Sequence, residues 1–417
     1  MFQYFRSLIT NIYSKGFFHL LSANYLIGFI GFASQLLVVK FLTPTEMGYI
    51  KLIQSYLAVF IIFAGFGFNT AILKICSEQI EITVKQKILF KNLIYTVFSI
   101  IVTTIIYILF IYYTIKHDNY LPYFYIYFLI VPANTIISLL ITYFQALKNI
   151  KLIANIQSLI KVFTVFFIIF STYYWKFNGF IFATVLSAWI SLFAIFFNIK
   201  NNIIVDWSYK LERRNIIYAF WSLLANLVGA LATNLDIFIL DKFVVDRENF
   251  GYYSIATIFL MGLNYITFTI QSITTPYFSE KSNNRDEFFR VFYKYLKLSV
   301  IVAISTGTMA FILIPYFIYY LYGANYYPVS YYFRIIVFKY VFWSCYSLIG
   351  VAILSIGKMK FNFYMVIITL LISLILMSYF GKLYGITGVA YSQSISYLIN
   401  LVILYTFGIR FINKVLR

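Results

Sequence analysis

The chain is written in long apolar blocks separated by short polar ones. Stretches such as "TVFSIIVTTIIYILFIYY" (96–113) and "FYMVIITLLISLILMSYF" (363–380) contain no charged residue at all. A run of about 18 apolar residues, rising about 1.5 Å each as a helix, nearly crosses a hydrocarbon layer of about 30 Å. In lipid the backbone must satisfy its own hydrogen bonds, and runs of this length do so as helices. The blocks predict spans near 17–39, 48–70, 92–114, 121–145, 152–174, 179–199, 215–240, 251–278, 293–320, 329–353, 361–380 and 386–409. The first, around "ANYLIGFIGFASQLLVV", has no small-x-small cleavage site before its polar end and reads as a retained span. The longest connections, 200–214 and 279–292, are too small to fold as separate domains.

Composition strengthens this picture. Hydrophobic residues make up 62% of the chain and charged ones 11%, against roughly 45–50% and 25% in soluble domains. Such a chain cannot cover a water-exposed surface with polar groups. The net charge of +19 is a matter of placement: with the N-terminus inside, 22 of the 32 Lys and Arg fall in inner segments, six in outer ones and four within spans. Cations are retained on the cytoplasmic side, so both termini are expected there. Nucleic-acid binding would need a basic soluble face, and the pattern provides none. Cys76 and Cys345 are far apart, and His19 and His117 are the only histidines, so neither a disulfide framework nor a metal cluster is expected. Gly357-Lys358-Met359 and Gly381-Lys382-Leu383 lack the Ser or Thr of a phosphate-binding loop. No cofactor and no nucleotide are expected.

The chain says one thing twice. "KFLTPTEMGY" (40–49) returns as "KFVVDRENFGY" (242–252). An offset of 202 sets Asn24 on Asn226, Lys40 on Lys242 and Phe41 on Phe243; one added residue then sets Gly48 on Gly251 and Tyr49 on Tyr252. Six spans per half keep both copies the same way up, related by a pseudo-twofold along the membrane normal. The expected fold is therefore an all-α polytopic membrane protein of about twelve transmembrane helices in two six-helix bundles, 1–208 and 209–417.

Polar residues inside spans are the candidates for function. Asn24, Gly28, Gly31 and Gln35 form one helical stripe, and Asn226, Ala230, Thr233 and Asp236 its counterpart. Such stripes serve helix packing, cavity lining or both. Asp236 is the one carboxylate well inside a span, and its repeat counterpart is Ser34. It reads either as an ion pair with a nearby lysine, Lys40 or Lys242, or as a coupling or gating group. Lys161 and Lys339 lie too deep to reach headgroup water and point to a water-filled lumen. Lys40, Lys51 and Arg334 are near enough to an interface to snorkel, or to join the same lumen. Arg334 and Lys339 are about 140° apart around a helix and share a cavity only if that helix is unwound or rotated.

The segment "KFLTPTEMGYIKLIQSYLAVFIIFAGFGFNTAILK" resembles the first helical hairpin of polysaccharide flippases of the multidrug/oligosaccharidyl-lipid/polysaccharide (MOP) exporter superfamily. So do "NLDIFILDKF…FGYYSIA" (234–256), "LYGANYYPVSYYFRIIV" (321–337) and "LYGITGVAYSQSISYLINLVI" (383–403). The turn departs from the family in having Thr43 where Gly is common. The resemblance, strongest to O-antigen (Wzx-type) flippases, implies translocation of undecaprenyl-pyrophosphate-linked oligosaccharide, alongside the polymerase and chain-length proteins of the same pathway. A lumen holding Lys161 and Lys339, with Arg334, Lys40 and Lys51, complements the pyrophosphate anion. Two other readings stand beside it: an integral-membrane glycosyltransferase or polymerase, and a drug exporter of the same superfamily.

Overall fold

A computed structural model describes residues 17–114, 119–199, 203–244, 246–282 and 284–416, without the side chains of 17–27, 150–155 and 198–199. The described residues form helices and connections, with no strand among them. In chain order the helices are α1 (Phe17–Phe41), α2 (Pro44–Gly65), α3 (Phe68–Cys76), α4 (Ile82–Thr114), α5 (Leu121–Phe128), α6 (Ile130–Ala146), α7 (Ile150–Ile199), α8 (Arg213–Phe243), α9 (Arg247–Glu280), α10 (Arg285–Tyr322), α11 (Tyr327–Ser355) and α12 (Met359–Ile403). A π-helical turn, Leu404–Gly408, joins α12 to α13 (Ile409–Val415).

Nine apolar helices among the described residues are long enough to cross a membrane. Two of them are of double length and break at one residue: α7 at Lys176 (φ 50°, ψ −132°) and α12 at Gly385 (φ 59°, ψ −135°). Dividing those two and adding α1 accounts for the expected twelve. The break geometry recurs in detail. Three residues after each break stands a glycine, Gly179 or Gly388, and a Cβ there would lie 2.0 Å from the Ser171 carbonyl oxygen or 2.1 Å from that of Phe380. Only glycine lets the two arms of each hairpin approach this closely. The second span is also interrupted, at Phe66 and Gly67, where φ turns positive between α2 and α3.

The repeated motif proves to be a helix start. Thr43 and Glu46 form a capping box: the Thr43 N–H donates to Glu46 Oε2 at 2.8 Å, and the Glu46 N–H to Thr43 Oγ1 at 3.3 Å. Pro44 occupies the first helical position, where no N–H is needed. In the second copy the Asp246 carboxylate caps α9, accepting from the N–H groups of Glu248 and Asn249 at 3.1 and 3.0 Å. The two glycines meet. A Cβ on Gly48 would lie 3.2 Å from Gly251 Cα, and a Cβ on Gly251 would lie 1.8 Å from the Pro44 carbonyl oxygen.

Contacts divide the chain into two compact units: Met1–Leu42 with Ile53–Ala230, and Thr43–Leu52 with Leu231–Arg417. The expected boundary at 208 and 209 lies in the connection before α8. In the structure α8 runs on unbroken and its first half packs with the first unit, so the division falls within the helix. One core in the first unit gathers Phe68, Ile72, Leu139, Tyr143 and Phe144; one in the second gathers Phe278, Phe288, Phe292, Ile349 and Ile353. The outer faces are as apolar as these cores: on α4, Phe98, Ile101, Ile105 and Leu109 are all exposed. A surface of this kind is stable against lipid chains and not against water. The chain is a multi-pass membrane protein.

The connection 203–212 is anchored to the start of α4. Asp206 accepts from the N–H groups of Ser208 and Tyr209 and from the Ser208 hydroxyl, and its other oxygen lies 2.9 Å from Lys87 Nζ. The Lys91 ammonium donates to the Trp207 carbonyl at 2.8 Å. The Ser208 and Lys87 hydrogen bonds hold the Asp206 carboxyl well below the usual carboxylate range.

Candidate functional site

Each unit holds buried or partly buried cations away from its helix ends. In the first unit a cavity of about 390 Å³ lies between α6 and the two arms of α7. Its polar lining comprises Asn134, Gln157, Thr164, Thr184, Ser187 and Ser191, with Lys161 as the basic group. The hydroxyls of Thr184, Ser187 and Ser191 donate back to carbonyls of their own helix, so towards the cavity they offer lone pairs. Lys161 is partly buried. Its ammonium reaches α1: a Cβ on Gly31 would lie 3.3 Å from Lys161 Nζ. The small-residue stripe of the first helix thus makes room for the lysine. Gln35, on the same helix, is partly buried, and Lys40 at its end is exposed. Asn24 lies outside the residues whose side chains are described.

The second unit holds a denser cluster. Asp236 is 4% exposed. The Tyr253 hydroxyl donates to its Oδ2 at 2.7 Å, and the Gln393 amide oxygen lies 3.2 Å from that hydroxyl. Tyr253 and Gln393 are themselves buried. Lys51, on the second-unit part of α2, has the Asp236 carboxylate and the Lys339 ammonium as its charged neighbours. Lys339 in turn places its ammonium 5.3 Å from the ring centroid of Tyr397. The cluster thus brings two basic side chains together with one acidic one.

This arrangement corrects two expectations. Lys242 is exposed, with its ammonium 5.6 Å above the ring of Phe243; the lysine beside Asp236 is Lys51. Lys51 is partly buried, within electrostatic range of that carboxylate. A shared cavity for Arg334 and Lys339 called for an unwound or rotated helix; α11 is regular throughout, and the two side chains have different surroundings. Arg334 is exposed on another side, stacked 5.7 Å from the ring centroid of Phe311. Asn226 and Thr233 are exposed on α8; the Asn226 amide donates to the Ser222 hydroxyl at 3.2 Å, and that hydroxyl donates to Thr70 Oγ1 at 2.6 Å.

Tyr253, Gln393, Asn134 and Gln157 were not among the expected site residues. A signal for Tyr253 does exist in the repeat. The position equivalent to Asp236 is Ser34, that of Tyr253 is Ile50, and that of Ser254 is Lys51. The copies differ at the residues that build the cluster.

A family model described as "polysaccharide biosynthesis protein" matches residues 37–331, more than two thirds of the chain. The chain belongs to this family. Within the polysaccharide biosynthesis protein, the matched stretch carries both copies of the repeated motif together with Lys51, Lys161, Asp236 and Tyr253, while Arg334, Lys339 and Gln393 lie beyond it. No curated protein sequence matches the chain. Among solved structures it is similar to the inward-facing form of a multidrug transporter of the MATE family and MOP superfamily (13% identity, 93% of this chain and 94% of that one covered, TM-score 0.75). It is equally similar to the lipid II flippase MurJ in an inward closed form (19% identity, 95% and 89% covered, TM-score 0.74). A MOP superfamily transporter from Pyrococcus furiosus is a more distant likeness (13% identity, 96% and 94% covered, TM-score 0.65). At these identities the likeness establishes the fold, which this polysaccharide biosynthesis protein shares with MOP transporters.

Proposed function

We propose that this protein is a flippase that moves an undecaprenyl-pyrophosphate-linked oligosaccharide, an O-antigen or related surface-polysaccharide repeat unit, across the bacterial inner membrane. It works by alternating access, with both termini in the cytoplasm. The observation that carries this reading is the pair of basic sites, Lys161 in its polar cavity and the cluster of Lys51, Asp236 and Lys339. A pyrophosphate is a dense anion, and an ammonium withdrawn from water is its electrostatic complement. Membership of a polysaccharide biosynthesis family supports the substrate class, and the fold shared with a lipid II flippase supports the transport mode. Asp236 is the proposed coupling or gating group, since it is the acidic member of a buried cluster and has no counterpart in the other half.

Depletion in a polysaccharide-producing cell tests the reading. Complete lipid-linked repeat units should accumulate on the inner leaflet. Single units displayed outside would instead identify a polymerase. The likeness to a multidrug transporter favours one second reading, a drug exporter. That reading expects resistance on overproduction and unchanged surface glycan on depletion.

A further inference from the structure

The second unit has a groove that the proposed transport does not use. It holds about 420 Å³ between α10, α11 and α12. On α11 its wall is the stripe Tyr331, Arg334, Phe338 and Phe342, successive positions of one helical face; on α12 it is Tyr391, Ile395 and Leu398. Phe311 of α10 closes the side and carries the Arg334 guanidinium.

The groove is graded along its length. Arg334 stands seven residues inside α11, roughly 10 Å from its Tyr327 end, and Phe342 lies about 12 Å deeper. Tyr331 and Arg334 are therefore gathered at one end of the α11 wall, and Tyr391 of α12 adds a second phenol to the lining. Below them the lining is Phe338, Phe342, Ile395 and Leu398. Tyr331, Arg334, Phe338 and Tyr391 are all exposed. Arg334 is the one charged residue of the lining, and among the described residues no carboxylate lies within ion-pair distance of it. Its guanidinium lies over the face of the Phe311 ring, an arrangement that leaves its planar set of N–H donors directed outward to an anion.

We propose that the groove binds one anionic glycerophospholipid, its phosphate on Arg334 and the two tyrosine hydroxyls and one acyl chain along Phe338, Phe342 and Leu398. The planar guanidinium matches a phosphate bidentately. The apolar part runs along the helix axis, the direction in which lipid chains lie. A free anion would leave that part empty, and a zwitterionic lipid would bring an ammonium to a site already cationic.

Native mass spectrometry of the full chain, released from detergent micelles containing either phosphatidylglycerol or phosphatidylcholine, tests this. The expected result is one retained phosphatidylglycerol, at least tenfold weaker retention in Arg334→Ala, partial retention in Arg334→Lys, and weak retention of phosphatidylcholine throughout. A thermal melt of each variant without added lipid checks that Arg334→Ala is folded, and Arg334→Lys keeps the test open if it is not. Equal retention of phosphatidylglycerol by wild type and both variants would overturn the proposal. So would equal retention of the two lipids by wild type, the mark of ordinary boundary lipid, or equal stabilisation by inorganic phosphate alone. None of these readouts depends on glycan transport, so the groove and the flippase reading succeed or fail separately.

Discussion

Charge placement at single residues governs both candidate sites. Lys161 is the basic group of its cavity and Lys339 belongs to a cluster of two basic side chains and one acidic one. Removing either ammonium should cost the bound anion about 2–4 kcal/mol, roughly 30- to 700-fold in affinity. Lys161→Ala and Lys339→Ala are expected to lose most surface glycan while still inserting in the membrane, and Lys161→Arg to keep part of it. Normal glycan display in both Ala variants would remove the headgroup assignment. Asp236 tests differently. If it serves only to neutralise Lys51, Asp236→Asn leaves a partly buried cation uncompensated, destabilising by on the order of 3–5 kcal/mol, and Lys51→Met in the same chain should restore the melting temperature. If it couples transport to an ion gradient, Asp236→Asn stays folded but inactive, and the double variant stays inactive too. The melting temperature of the single variant, read beside its transport, separates the two roles.

At the scale of elements, the repeated motif works as a paired helix start. The contact of Gly48 with Gly251 leaves no room for a side chain: a Cβ at Gly251 would sit 1.8 Å from a backbone oxygen, which no rotamer change relieves. Gly251→Ala should therefore force α2 and α9 apart and cost several kcal/mol, read as a fall in melting temperature and in membrane yield. Gly229→Ala, where an added Cβ meets nothing within 4 Å, should be neutral. The connection 203–212 gives a second test. Asp206 has its pKa depressed in the folded chain, so its stabilising contribution is complete above the unfolded carboxylate value near 4 and is lost as pH falls below that through the folded value. Asp206→Asn should speed proteolysis at Lys210–Arg213 at neutral pH. Its difference from the parent should shrink once the pH is low enough to protonate Asp206 in the folded chain. Equal cleavage of variant and parent at pH 7 would show that the carboxylate does not hold this loop.

For the whole molecule, the asymmetry of cations is expected to set the way the chain sits in the membrane. With 22 Lys and Arg in the segments of one side and six in those of the other, inversion would translocate the greater number. A green fluorescent protein fused after Arg417 should fluoresce, and alkaline phosphatase at the same place should be inactive. The opposite pair of results would reverse the orientation. Two internal hairpins of like geometry, broken at Lys176 and Gly385, agree with a chain built from two similar halves of the same sense.

Solvent and period were legible in the sequence. Apolar blocks long enough to cross a membrane, cations biased to one side and a motif repeated at an offset of 202 are properties of the chain taken in order, and lipid enforces helix on each block without help from its neighbours. The expected depth of Lys161, Lys339 and Asp236 follows from the same count of residues along a helix. Partnership was decided only by the tertiary structure. Lys51 and Asp236 are 185 positions apart, and Tyr253 and Gln393 140, and no local rule brings such residues together. Position along a helix likewise says how deep Arg334 lies but not which neighbours surround it. Packing against α10 and α12 placed it in a separate groove, away from Lys339, because residues five apart on an unbroken helix look in different directions.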